Sequence, residues 1–146
     1  VAGELSGDQA GFMFGYGAFT QLRDDREDIE ADRKAGRLSL FSQTADHWPL
    51  DALTTRALHF GLQVLDRMDG ITVPEAMPLK AFFLKSVTPL IFASAGQAGR
   101  YYTPAYLRQI EAGMPFRFAA LKKQRRKLAR QQRLPEKIFQ IWITPA

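Results

Sequence analysis

The clearest hydrophobic pattern in the chain lies between Pro49 and Met68. Apolar residues recur there at three- and four-residue steps, which is the spacing of one face of an α-helix. Proline suits the first turn of a helix and glycine its end, so Pro49 and Gly70 mark the limits of the segment. The pattern predicts an amphipathic helix whose apolar face consists of Leu50, Leu53, Ala57, Phe60, Gly61, Val64, Leu65 and Met68.

The next apolar stretch, residues 79–87, has a period that fits either a helix or a buried strand, and we interpret it as a helix. Thr88 followed by Pro89 has the form of a helix N-cap with proline in the first turn, so a separate helix is expected to begin there. Gly96 and Gly99 are expected to end that second helix.

The same pattern recurs further along, where Thr103 and Pro104 predict a helix that stops at Gly113. Pro115 and Pro135 bound another helix over residues 116–132. The connections between these helices are too short for separate domains. We therefore expect a mainly α fold, a compact single-domain helical bundle over residues 1–146.

Two short segments favour strands. Residues 37–41 follow Gly36 and fit a short strand or a helix end, with a turn over residues 42–49 after them. Residues 138–143 are rich in β-branched and aromatic side chains, which are common in strands. The helical bundle is thus expected to carry one or two short strands, including a C-terminal one.

Composition narrows the class of protein. The chain has no cysteine, which excludes disulfides and thiolate metal sites and makes a cytoplasmic location the default expectation. No signal peptide is visible at the start of the sequence. The most apolar stretch, residues 78–96, contains Lys80 and Lys85 and is interrupted by Pro89, so no transmembrane segment is expected. A peripheral membrane contact remains an open alternative.

Charge divides the chain into two halves. Residues 1–70 hold twelve acids and seven bases, a balance of −5, whereas residues 71–146 hold thirteen bases and three acids, a balance of +10. An acidic N-terminal half and a basic helical C-terminal half make the molecule a dipole. Such a dipole orients encounters with an anionic partner, and it also lets the acidic half of one copy face the basic half of another.

The densest positive charge lies on the predicted helix over residues 116–132. Between Arg100 and Lys137, eleven lysines and arginines stand against two acids. At about 100° per residue, one stripe is formed by Lys122, Arg126, Arg130 and Arg133, with Lys123 and Lys127 beside it. A narrower apolar edge is formed by Phe118, Leu121, Leu128 and Ala129. Such a helix can dock through its apolar edge and present its cations to phosphates.

Aromatic side chains that could stack on bases occur at two places. Tyr101 and Tyr102 follow Arg100 in a turn, where they either recognise unpaired bases or anchor the next helix in the core. Residues 11–19 mix three glycines with four aromatic residues and are expected mainly in the core, with base stacking as the alternative.

These features favour a non-enzymatic protein that binds nucleic acid, DNA or RNA, through its phosphate backbone, as a small subunit of a nucleoprotein assembly. If about five cations neutralise phosphates of a duplex, log K falls with log salt at a slope near −4.5. The candidate nucleic-acid-binding residues are Arg100, Tyr101, Tyr102, Arg117, Lys122, Lys123, Arg125, Arg126, Lys127, Arg130 and Arg133.

Two other function classes stay open. In an assembly module, the basic helix would dock on an acidic surface of a protein subunit or of a second copy. In a metal-dependent enzyme such as a nuclease, Asp24, Asp28 and Asp32 would converge on one face of a solvated helix over residues 24–34. His47 fits a surface turn and His59 a packed position. We therefore assign no catalytic residue, metal ligand or cofactor.

Overall fold

The computed structural model of the chain describes residues 5–124 and residue 127. Six α-helices have complete bounds: α1 Gly7–Glu27, α2 Ile29–Ala35, α3 Leu40–Ala45, α4 Asp51–Asp66, α5 Ala76–Gln97 and α6 Pro104–Ala112. A seventh, α7, covers residues 118–124, and residue 127 is helical as well. Short 3₁₀-helices at Arg67–Gly70 and Gly99–Tyr101 follow α4 and α5. The mainly α prediction is confirmed.

Within the described ranges there is no strand, so of the two alternatives for residues 37–41 the strand is wrong. Helix α3 also occupies the first part of the turn expected over residues 42–49. Ser39 is the N-cap of α3: its hydroxyl accepts from the Ser42 N–H at 3.2 Å, and its N–H donates to the Ser42 hydroxyl at 2.9 Å. This reciprocal pair starts a helix, and Phe41 is fully buried by it. The strand predicted over residues 138–143 lies outside the described residues.

The predicted amphipathic helix after Pro49 is confirmed as α4, which packs closely against α1. Gly15 of α1 faces Val64 of α4, where an added Cβ would lie 2.8 Å from a Val64 methyl group. Gly61 of α4 faces Phe19 of α1, and a Cβ there would overlap the phenyl ring. The two glycines therefore set how closely α1 and α4 approach.

The interior consists of two neighbouring apolar clusters. The first lies between α1, α4 and α5 and contains Phe12, Phe19, Leu58, Val64, Leu65, Met68, Ala76, Val87 and Ile91. The second joins α2, α3, α4, α6 and α7 to the end of α5 and contains Ile29, Phe41, Leu50, Ala57, Ala95, Tyr101, Tyr102, Ile110 and Phe118. Because α4 and α5 contribute to both clusters, they connect the two parts of the bundle.

The boundary predicted at Thr88 and Pro89 is wrong, because α5 continues through Pro89 as one helix. Proline lacks the N–H that would bond to the Lys85 carbonyl, so one hydrogen bond of the helix is missing there. Val87 and Ile91, on either side of Pro89, are both buried in the first cluster. Their burial holds the helix together across the proline.

α5 is long and apolar enough to cross a membrane by length and composition, and 22% of its most apolar window is buried in the bundle. Its first turns are held by Lys80, whose ammonium lies 2.8 Å from Asp69 and 3.3 Å from Asp66. The hydrogen bond to Asp69 raises the pKa of Lys80 above its ordinary value. This pair of contacts fixes the start of α5 to the end of α4.

The acidic segment is two helices, which corrects the single solvated helix expected over residues 24–34. α1 ends at Glu27, and α2 begins after Asp28 with Ile29 in the second cluster. Asp32 is buried as well, with Arg37 at 3.4 Å. Asp28 departs from helical geometry, with φ −97° and ψ 8°. Asp24 and Asp28 are exposed whereas Asp32 is buried, so the three carboxylates do not form one exposed group.

Candidate nucleic-acid interface

α7 is anchored to the bundle by its apolar edge. Phe118 is buried against Gly96, where any added Cβ would overlap the phenyl ring. The backbone N–H of Phe118, in the first turn of α7, donates to the Glu111 carboxylate at 2.6 Å. Leu121 packs, half-buried, against the second cluster. One side of α7 is thus fixed, and the other faces solvent.

The solvent side of α7 carries unpaired cations. Lys122, Lys123 and Lys127 are exposed, and in the ranges described no carboxylate lies within ion-pair distance of them. Arg117, just before the helix, has a side chain 78% exposed and its guanidinium 4.0 Å from Glu111. The remaining predicted cations, Arg125, Arg126, Arg130 and Arg133, lie outside the described residues.

Tyr101 belongs to the core, so the structure removes it from the predicted base-stacking cluster. Its ring is buried, and its hydroxyl donates to Glu30. The same oxygen accepts hydrogen bonds from Arg100 at 2.6 Å and from Arg33 at 3.3 Å. Both guanidinium groups also lie near the ring, 4.7 and 5.8 Å from its centroid.

Tyr102 is equally enclosed. Its hydroxyl lies 2.8 Å from the Thr54 hydroxyl, and its ring stacks on Tyr106 with centroids 5.8 Å apart. Burial raises the pKa of Tyr102 to about 12. Thr103, the N-cap of α6, donates two hydrogen bonds to Asp51 at the start of α4. The turn that holds both tyrosines therefore fixes α6 to α4, and neither ring is free to stack on a base.

Trp48 is the exposed aromatic residue near this turn, and sequence reasoning missed it. It lies in the turn after α3, with 73% of its surface exposed. Together with Arg100 it lines a cavity of about 430 Å³. A large aromatic side chain in a polar turn was the available signal, whereas the prediction named the adjacent Tyr101 and Tyr102, which are buried.

A second cavity, of about 450 Å³, shares Arg100 and carries more positive charge. Its cationic walls are Arg33, Lys34, Arg37 and Arg100, and its acidic walls are Glu30 and Asp46. Arg33 is paired with Asp46, and Arg100 with Glu30. Arg37 faces Asp32, and Lys34 has no ion pair in the described part of the chain. The side chain of Lys122 lies over Gly99, next to Arg100, so α7 borders this surface.

The described residues contain no group of three acidic or histidine side chains that could hold a metal ion. Asp24 is paired with Arg23 at 2.8 Å, and Asp28 lies at the break between α1 and α2. His47 lies in the turn beside Trp48, and His59, expected to be packed, is exposed on α4. The carboxylates of this segment therefore serve ion pairs and helix ends.

Arg26 is a buried cation that has no ion pair with any residue the structure describes. It is 2% exposed, and its Nε and Nη2 atoms have no hydrogen-bond partner. Burial lowers the pKa of Arg26 below its ordinary value. Of the two acids adjacent to it in the chain, Glu27 is exposed to solvent and Asp25 accepts a hydrogen bond from Gln21. An unpaired guanidinium in this position costs folding free energy.

Comparisons of the chain with protein-family models, with curated proteins and with solved structures gave no match.

Proposed function

We propose that the protein binds nucleic acid through the phosphate backbone, with the exposed cations of α7 as the contact surface. The observation that supports this proposal is the pairing state of those cations. Lys122 and Lys123 lie on a helix fixed by Phe118, Lys127 is helical as well, and no described carboxylate neutralises the three lysines. Elsewhere in the bundle, Arg23, Arg33, Lys80 and Arg100 lie against acids. The exposed cations without an ion pair in the described residues, such as Lys34, Arg56 and Lys85, lie singly on separate helices.

Unpaired lysines on a fixed helix favour a polyanion for a physical reason. Each phosphate contact releases condensed counterions from the nucleic acid, and a rigid helix loses little conformational entropy on binding. The shape and spacing of lysines carry no base readout, so binding is expected to depend on the backbone more than on sequence. Trp48, on the same side as Arg100, adds an aromatic surface on which an unpaired base can stack.

Two double variants with the same change in net charge test the proposal. Lys122→Ala with Lys123→Ala removes the α7 cations, and Arg56→Ala with Lys85→Ala removes two exposed cations from α4 and α5. In fluorescence anisotropy with a labelled oligonucleotide at low salt, we expect the α7 pair to weaken binding by about tenfold or more. The control pair should change affinity by less than about twofold, because its cations are not part of the contact surface.

Equal losses in the two double variants would contradict the proposal, because net charge alone would then explain binding. No binding by the unaltered protein would contradict it directly. A salt-sensitive oligomer that ignores oligonucleotides, seen by light scattering, would favour the assembly module instead, with α7 docked on an acidic surface of another copy.

A further inference from the structure

Two cavities lie side by side next to the turn before α6. The cationic cavity, of about 450 Å³, lies between α2 and α3, and the tryptophan cavity, of about 430 Å³, contains Trp48. Asp46 and Arg100 belong to the walls of both, so the two cavities are neighbouring parts of one surface depression. Each falls within the roughly 300 to 1,000 Å³ that is typical of pockets for small organic ligands.

The walls of the cationic cavity keep an excess of positive charge. They hold four cations, Arg33, Lys34, Arg37 and Arg100, against two acids, Glu30 and Asp46. Both acids are already paired, Glu30 with Arg100 and Asp46 with Arg33. Arg37 lies 3.4 Å from Asp32 but its side chain is 68% exposed, and Lys34 has no ion pair in the part of the chain described. Even with Asp32 counted, four cations face three acids, so the cavity can accept a further anionic group.

The backbone brings Lys34 and Arg37 to the same cavity. α2 ends at Ala35, and Gly36 follows with φ 64°, a left-handed conformation that favours glycine. The N–H of Arg37 then donates to the Asp32 carbonyl at 2.8 Å, so the chain folds back on the end of α2. The two available cations are therefore positioned by a turn with its own hydrogen bond.

The tryptophan cavity is closer to neutral and more aromatic. Its walls hold one acid, Asp46, and one arginine, Arg100, together with His47. Trp48 is 73% exposed, and two prolines add apolar surface beside it. A flat, uncharged ring such as a nucleic-acid base can stack on an indole in this setting.

We propose that the two cavities together bind one unpaired nucleotide of a single strand. Its base stacks on Trp48, and its phosphate lies between Lys34 and Arg37, because a nucleotide joins an uncharged ring to an anion as the two cavities join an aromatic wall to a cationic one. Lys122 of α7 lies over Gly99, next to the shared Arg100, so the strand can continue from the cavities onto α7. This inference rests on the proposed function and adds the class of nucleic acid, a single strand.

A matched pair of charge reversals tests the inference. Lys34→Glu and Arg56→Glu each reverse an exposed cation that has no ion pair in the described residues, and Arg56 lines neither cavity. The measurement is fluorescence anisotropy at low salt with labelled single-stranded and duplex oligonucleotides of one length. We expect Lys34→Glu to weaken single-strand binding by about tenfold or more and duplex binding by less than about twofold. Arg56→Glu should change both affinities by less than about twofold.

The possible results separate this inference from the proposed function. Unchanged single-strand affinity in Lys34→Glu, or equal losses for the two probes, would overturn the inference and leave α7 as the contact surface. If Lys34→Glu loses single-strand binding but Lys122→Ala with Lys123→Ala keeps the affinity for both probes, the cavities stand and the role of α7 fails.

Competition with adenosine monophosphate distinguishes a strand from a free nucleotide. A single nucleotide lacks the contacts of the strand with α7, so we expect it to displace the single-stranded probe only at about 1 mM or above. Tight binding of adenosine monophosphate by a protein that ignores the single strand would overturn the inference, because the cavities would then hold a free nucleotide. Binding of neither ligand would overturn it as well.

Discussion

At the scale of single residues, the turn between α5 and α6 separates structural aromatic side chains from available ones. Tyr101 and Tyr102 are buried and hydrogen-bonded, and they fix α6 and the end of α5 to α4 and α2. Trp48 lies beside the same turn but is exposed. Trp48 is therefore the aromatic side chain beside this turn that a ligand can reach.

Trp48→Ala tests this separation. Stacking of a base on an aromatic ring contributes about 1 to 3 kcal/mol, so the variant is expected to bind single-stranded oligonucleotides about fivefold or more weakly. Duplex binding should be unchanged, because paired bases cannot reach the ring. Anisotropy with matched single- and double-stranded probes measures both, and an equal loss for the two would contradict a stacking role.

Tyr102 predicts a distinct stability loss at alkaline pH. Its folded pKa, about 12, is above the unfolded value near 10, so its contribution to stability is complete below pH 10. It is lost as the pH rises towards 12, by about 2 to 3 kcal/mol. Denaturant titrations at pH 7 and at high pH should show a smaller pH effect in Tyr102→Phe than in the unaltered protein. Equal pH effects in the two proteins would contradict the assignment.

Arg26 predicts a stabilising substitution. Replacing an unpaired buried guanidinium with the apolar chain of Arg26→Met removes its desolvation cost, and we expect the free energy of unfolding to rise by about 1 to 3 kcal/mol. Arg26→Lys keeps the charge and serves as the control, without the gain. A loss of stability in Arg26→Met, measured by denaturant titration, would show that the guanidinium has a partner.

At the scale of helices, glycines on facing surfaces determine how α1 and α4 pack. Gly61 gives space to Phe19, and Gly15 gives space to Val64. Gly17, on the same helix as Gly15, has no neighbour within 4 Å of an added Cβ. These glycines therefore differ in role although all three are helical.

Gly61→Ala and Gly17→Ala form a matched pair that tests this packing. The first places a methyl group into the Phe19 ring and should lower the free energy of unfolding by about 1 to 3 kcal/mol. The second meets open space and should raise it by about 0.5 to 1 kcal/mol, because alanine favours the helix. Thermal unfolding measures both; a stable Gly61→Ala would contradict the close approach of α1 and α4.

Helix patterns were predictable from sequence where the periodicity was strong and local. α4 and α6 begin and end near the expected proline, threonine and glycine residues, because capping depends on neighbouring residues. The predictions at Pro89 and Asp28 were wrong in opposite ways. A new helix was expected to begin at Pro89, where one helix continues, and one helix was expected through Asp28, where two meet. α5 continues through Pro89 with Val87 and Ile91 buried on either side of it, and the charged segment is interrupted at Asp28, next to the buried Ile29.

The candidate interface was predictable only in its charge. The sequence marked the cations of α7 and the apolar edge that holds them, because both follow helical spacing. It could not rank Tyr101, Tyr102 and Trp48 by exposure, since that depends on contacts with Thr54 and Glu30, which are distant in the chain.

At the scale of the whole molecule, acids and bases are used differently on different surfaces. Acidic side chains of the first half pair with arginines around the turn before α6, as in Glu30 with Arg100 and Asp46 with Arg33. The cations of α7 have no ion pair in the described ranges. They are therefore the part of the charge asymmetry that we propose a polyanion neutralises.

The salt dependence of oligonucleotide affinity tests this account most directly. With about five phosphate contacts on a duplex, a plot of log K against log salt should have a slope near −4.5. Lys122→Ala with Lys123→Ala removes two contacts, so its slope should be about −2.7, whereas Arg56→Ala with Lys85→Ala should keep the original slope. A slope near zero for the unaltered protein, or the same slope for both double variants, would contradict binding through α7.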